Sequence, residues 1–227
     1  MSNNFQRDRR ALFYRAANLA GIAALGGIFD SRSVRAAGSR PAQGIRHMSG
    51  EVTVNGRPAA EGMRILAGDT VVTGDASEAI TVFGRDAFLQ RADSRIQFGT
   101  NVGDSAAFLL RVITGRLLSV FGKGEVRIVT PTATIGIRGT GCYIEAQPGR
   151  VYFCLCYGVA ELIPTAAPNE RELIRSKHHD HPMYIYDDPK MPTMMVPAGV
   201  FNHFDAELVM LESLVGRRPP FVGGGKP

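Results

Sequence analysis

Polar and apolar positions alternate through Ala79-Ile80-Thr81-Val82-Phe83, and short runs rich in β-branched residues recur along most of the chain. Thr70 to Thr73, Ala87 to Arg91, Arg95 to Phe98 and Glu125 to Val129 are such runs, separated by Gly-Asp, Gly-Thr or Gly-Lys-Gly breaks. β-Branched side chains fit the pleat, and glycine supplies turn conformations closed to other residues. Asn55-Gly56, between Glu51 to Val54 and Arg57, is a strong two-residue hairpin signal. Ala106 to Phe121 reads as two strands around Gly115, with Asn101 to Ser105 as the loop before them. About ten short strands at this spacing predict an all-β fold: a compact β-roll, a sandwich or a short β-solenoid. No long helical pattern separates the strands, which excludes a doubly wound α/β fold. Near the end Phe204, Leu208, Leu211 and Leu214-Val215 recur at helical spacing, with Asn202 as N-cap, Asp205 in the first turn and Gly216 as the stop. One C-terminal α-helix, packing its apolar stripe on the β domain, is expected.

At 227 residues the chain can bury a real core, so small disulfide-scaffold classes are excluded. Its formal charge of +5 is concentrated at the start: residues 1–36 hold six arginines and two aspartates, and the remainder carries a net charge of only +1. That balance gives no electrostatic footprint for nucleic acid. Arg9-Arg10 precedes an apolar, Gly/Ala-rich run of 14 residues from Ala16 to Phe29, short for a membrane span. Val34-Arg35-Ala36 then offers a peptidase site. The expectation is a cleaved leader of the twin-arginine type over 1–36 and a periplasmic or exported protein. The alternative is an uncleaved leader anchoring the protein in the inner membrane.

Two separated motifs carry a family resemblance. Ile65, Gly68, Asp69, Val71, Thr73, Gly74 and Ser77 meet the pattern Leu/Ile-x-x-Gly-Asp-x-Val-x-Thr-Gly-x-x-Ser, and Val129-Thr130-Pro131 leads to Arg138-Gly139-Thr140. With Ser94-Arg95-Ile96, Gly115 and a closing strand from Gly158 to Leu162, the stretch resembles the FecR domain over roughly residues 47–163. Gly84-Arg85-Asp86-Ala87 departs from the family's Asp-Gly-Ser turn. The resemblance implies a non-catalytic sensing, scaffolding or binding module of the cell envelope, engaging a protein or a surface ligand. The family's signalling members carry a cytoplasmic anti-sigma segment and a membrane span before this domain. Here the leader stands in their place, so a direct transmembrane regulator is not expected. The resulting organisation is a leader over 1–36, a linker over 37–46, the FecR-like domain over 47–165, an extension with a His-rich loop and helix over 166–216, and a disordered tail over 217–227.

Within the motifs, Gly68, Asp69, Gly74, Ser77, Thr130, Pro131, Gly139 and Thr140 read mainly as turn chemistry, with a ligand-facing role as the alternative. Arg138 reads as a paired structural arginine or a ligand-facing one. No nucleophile elbow or acid/base constellation emerges, so no enzyme is expected and no catalytic residue is assigned. The alternative function is metal binding by the cluster His178, His179 and His181, whose imidazoles with Asp180 suit zinc, copper or nickel. Cys154 and Cys156 add thiols on one face if both lie on one strand. Cys142, Cys154 and Cys156 flank the hairpin signal Gln147-Pro148-Gly149-Arg150, and a disulfide depends on register. A three-residue loop places Cys142 opposite Cys154 or Cys156, and a two- or four-residue loop places it opposite Leu155.

Overall fold

A computed structural model describes residues 42–99 and 108–223. The expected leader, residues 37–41 of the expected linker, the Asn101 to Ser105 loop and the last four residues of the expected tail lie outside the described residues. Fourteen strands and one helix follow: β1 (Gly44–Ser49), β2 (Val52–Val54), β3 (Arg57–Pro58), β4 (Thr70–Thr73), β5 (Glu78–Phe83), β6 (Asp86–Gln90), β7 (Ser94–Gln97), β8 (Phe108–Val120), β9 (Glu125–Val129), β10 (Ala133–Gln147), β11 (Arg150–Pro164), β12 (Glu172–Ser176), β13 (Met183–Tyr186), β14 (Met195–Pro197) and α1 (Asp205–Leu214). The fold is all-β. Asn55 and Gly56 both take positive φ, 52° and 75°, as a type I′ hairpin requires. β1 starts at Gly44, inside the stretch expected to be linker.

The strands join into one mixed sheet in which β8–β9 is parallel and every other pair antiparallel. Three long strands organise it, and each bends and changes neighbours. β8 pairs β7 and β9 through its first half, β6 through Leu117–Val120 and β10 through Gly115–Val120. β10 pairs β9 before its bulge at Arg138–Gly141 and β8 after it. β11 pairs β13 before Gly158 and β12 from there on. Gly115 is therefore a bend inside one continuous strand and not a break between two, a correction to the sequence reading. Its φ is 92°, and a Cβ there would sit 2.1 Å from Ser94 Oγ. Only glycine fits where the strand folds over Ser94, so the chain can keep pairing through the bend. Within the expected extension, β12, β13 and β14 continue the same sheet.

β11 is buried on both sides from Val151 to Tyr157 and separates two apolar clusters. Strand periodicity sends Val151, Phe153 and Leu155 to the larger cluster, with Phe88, Leu110, Ile135 and Ile144, and sends Tyr152, Cys154 and Cys156 to the smaller one. The smaller cluster is roofed by α1, whose Leu208 and Leu211 are fully buried beside Leu118 and Tyr143. Burying those two leucines contributes at most about 3–6 kcal/mol to docking the helix. Glu212, on the same face, is buried but satisfied: Tyr157 donates to its Oε1 at 2.6 Å and Arg217 Nε to its Oε2 at 2.6 Å.

The helix starts differently from its sequence reading. Phe204 is the N-cap, Asn202 lies outside, and Glu207 reaches back to accept the Phe204 N–H at 3.0 Å while Arg91 clamps its carboxylate. Phe204 is consequently 69% exposed and not part of the packed stripe.

Candidate metal centre

Three segments separated in sequence converge under α1. The first is β11, whose period of two puts Cys154 and Cys156 on one face. The second is the turn after β12. There the Asp180 carboxylate accepts the backbone N–H of Lys177 at 2.6 Å, Ser176 Oγ accepts the N–H of Asp180 at 3.0 Å, and His179 is held at φ 55°. The His179 N–H donates to the Cys156 carbonyl at 2.9 Å, which ties this turn to the cysteine strand. The third segment leads into α1. Tyr152 donates to the Gly199 carbonyl at 2.9 Å, Asn202 turns at φ 61° and donates to Glu145 at 2.8 Å, and His203 stacks on the Tyr143 ring at 4.6 Å.

The donor atoms of Cys154, Cys156, His179 and His203 all lie within 4.8 Å of one another. Cys154 Sγ is 3.4 Å from His179 Nδ1, which is 3.0 Å from His203 Nε2. The outward partners fix how both rings point. His203 Nδ1 lies 2.7 Å from the Phe201 carbonyl, which can only accept, so Nδ1 carries the hydrogen. His179 Nε2 donates to the Asp205 carboxylate at 3.1 Å. In their neutral forms both rings therefore aim a lone pair at each other and at sulfur. Two lone pairs 3.0 Å apart repel unless a cation lies between them, either a proton or a metal ion.

The sulfurs are poised in the same way. The hydrogen bond from Cys156, together with His179 and His203, outweighs burial and holds Cys154 as a thiolate, well below the ordinary thiol range. Burial, and then the adjacent Cys154 sulfur, pushes the Cys156 thiol up. Burial disfavours a charged His179, yet the Cys154 thiolate and the Asp205 carboxylate together raise it above the usual histidine value.

Two sulfurs and two imidazole nitrogens are a tetrahedral donor set for a borderline or soft ion, with ideal donor separations of about 3.3–3.8 Å. A backbone carbonyl behind one ligating histidine and a carboxylate behind the other are the supports that such ligands ordinarily have. Cys154, His179 and Asp205 also line up as a thiolate–imidazole–carboxylate relay of the kind that activates a nucleophile. Here Cys154 and Cys156 have no exposed surface and His203 is 5% exposed, so the sulfur is shut off from a carbonyl substrate. A second, outer group shares His179: the donor atoms of His178, His179 and Asp205 also lie within 4.8 Å of one another.

Of the three histidines expected to bind metal, the fold brings His179 into both groups and His178 into the outer one, while His181 belongs to neither. His203 and Asp205 are not among the candidate ligands read from the sequence, although they stand at a His-x-Asp spacing at the helix entry. The cysteine hairpin has the two-residue loop Pro148-Gly149, so Cys142 faces Leu155 and points into the other core. All three thiols are free, and a bridge from Cys142 is excluded by register.

The FecR-like motif residues belong to neither donor group, and several of them form turns. Asp69 accepts the Leu66 N–H and Asn55 Nδ2, each at 2.7 Å, beside Gly68 at φ 95°. The Gly74 N–H donates to the Glu51 carbonyl, and Ser77 Oγ accepts the Glu51 N–H at 2.8 Å. Thr130 Oγ1 closes the turn over exposed Pro131 through Ala133. Gly139 turns at φ 53°, and the Thr140 methyl fills the space over Gly158. Arg138 is paired with Glu125, directly opposite it on β9, and both side chains are exposed.

No family model matches the chain, and no curated protein matches it in sequence. Two solved structures, each described as a candidate anti-sigma factor from Parabacteroides distasonis, resemble it with a TM-score of 0.47 and 9% identity. The similarity covers 57% of this chain and 58% of theirs, so the chain spans under two thirds of those proteins. Among the described residues, no helix is long and apolar enough to cross a membrane.

Proposed function

We propose that the protein is a non-catalytic, metal-binding sensing module of the cell envelope, in which Cys154, Cys156, His179 and His203 hold one transition-metal ion of the Zn(II) or Cu(I) kind. The observation that carries this reading is the convergence of two imidazole lone pairs and two sulfurs, each ring held from behind by its own acceptor. Four protein ligands leave no open position for substrate, which is the mark of a structural or sensory ion rather than a catalytic one. The ion ties the turn after β12 and the entry to α1 onto β11, so its presence is read out as the docking of the C-terminal segment. The Arg9-Arg10 pair in the leader expected over 1–36 supports an exported location, and an envelope protein or surface ligand is the partner such a module would engage.

Elemental analysis of protein purified without a histidine tag tests the assignment. One zinc or copper per chain is expected; Cys154→Ser and His203→Ala each lower affinity by at least about a hundredfold, and Cys142→Ser leaves it unchanged. A chain that takes up neither ion, or one whose affinity survives both substitutions, would refute it.

A further inference from the structure

We infer that His178 and Asp205 form a surface acquisition site that captures the ion and passes it to the buried centre through His179. The inference rests on the metal-binding reading above and adds how the ion gets in.

The buried centre has its sulfurs sealed, whereas the His178 and Asp205 side chains are each 48% exposed and the His179 side chain is 11% exposed between them. His178 Nε2 lies 2.9 Å from both Asp205 oxygens, and His179 Nε2 lies 3.1 Å from one of them. Two imidazoles and a carboxylate with open sides suit a hydrated divalent ion that keeps water in its remaining positions. His179 faces this group with Nε2 and the buried group with Nδ1. A neutral imidazole has one lone pair, so His179 serves one group at a time, and occupancy of the two is exclusive. Both ring states have contacts ready: with the ion outside, Nδ1–H donates to Cys154 Sγ; with the ion inside, Nε2–H donates to Asp205.

Transfer breaks the ion's bonds to Asp205, His178, His179 Nε2 and its remaining water ligands, which return to solvent. It forms bonds to Sγ of Cys154 and Cys156, to His179 Nδ1 and to His203 Nε2. The Nδ1 proton of His179 is lost to water and Nε2 regains one from water, while each proton that the two cysteine sulfurs carry leaves to bulk solvent. No oxidation state changes.

Stopped-flow mixing of the reduced, metal-free full chain with Co(II) tests the route, since cobalt–thiolate absorption reports arrival at the buried centre. His178→Ala is expected to slow that absorption by about tenfold or more, on the scale of losing a metal-supporting group, with the end-point spectrum, stoichiometry and affinity unchanged. An unchanged rate, or an affinity that falls in step with the rate, would overturn the inference while leaving the buried centre intact. Absence of the thiolate band in the unmutated chain would instead overturn the metal-binding reading itself.

Discussion

Asp86 carries the clearest pH signature at the scale of single residues. Its carboxyl accepts the Gly122 N–H at 2.8 Å, yet burial raises it from 3.8 to about 6. The native state keeps this proton up to about pH 6, and the unfolded chain loses it near 3.8. Between those values the native state binds more protons, so the Asp86 contribution to stability falls as pH rises and is constant above the window. Asp86→Asn, which still accepts from Gly122, should therefore gain stability relative to the parent chain from pH 4 to pH 6.5 in urea melts. A difference independent of pH would contradict the assignment. Glu212 makes the opposite case, a buried charge that is paired. Glu212→Ala strands the Tyr157 hydroxyl and Arg217 and should cost about 2–3 kcal/mol in the same melts. A loss within about 0.5 kcal/mol, the ordinary effect of a surface substitution, would show that the pair does not hold α1. Legibility at this scale was uneven. Cys154 and Cys156 share a face by strand period alone, and the histidine run announced itself by composition. His203 and Asp205 meet them only because the chain returns beneath α1, and no local spacing encodes that return.

At the scale of elements, turn chemistry was readable and strand continuity was not. Asn55-Gly56, Gly68-Asp69 and the Ser77 turn do what their side chains dictate, because a two-residue hairpin or an aspartate-capped turn is decided by neighbours in sequence. Whether glycine ends a strand or bends it depends on what lies above it. At Gly115 that is Ser94, from another strand, and at Gly141 it is the Tyr157 ring, 2.5 Å from where a Cβ would be. Gly115→Ala, forced to positive φ and onto the Ser94 backbone, should cost about 3 kcal/mol or more by thermal or urea unfolding. A loss under about 1 kcal/mol would mean the bend is not fixed there. Helix α1 was legible as an amphipathic segment, but not its start, since Phe204 is capped by Glu207, which Arg91 anchors from the end of β6.

The whole molecule joins these scales through one long strand. β11 gives one face to the main core and the other to the thiols, and α1 closes over that second face with its leucines and the His203 entry. On the proposed reading, metal binding and helix docking are linked: an ion bound only by the form with α1 docked would stabilise it by about 2.7 kcal/mol at a free concentration 100 times the dissociation constant. A chelator strong enough to strip the ion should lower the melting temperature of the loaded chain by several degrees and speed amide exchange in α1 before exchange in β8; equal exchange with and without metal would uncouple the two. Four donor atoms surround the ion in the proposed site, and X-ray absorption at the metal edge of the zinc-loaded full chain reads them directly. Two sulfurs at about 2.3 Å and two nitrogens at about 2.0–2.1 Å are predicted. A shell of nitrogen and oxygen alone would contradict the account.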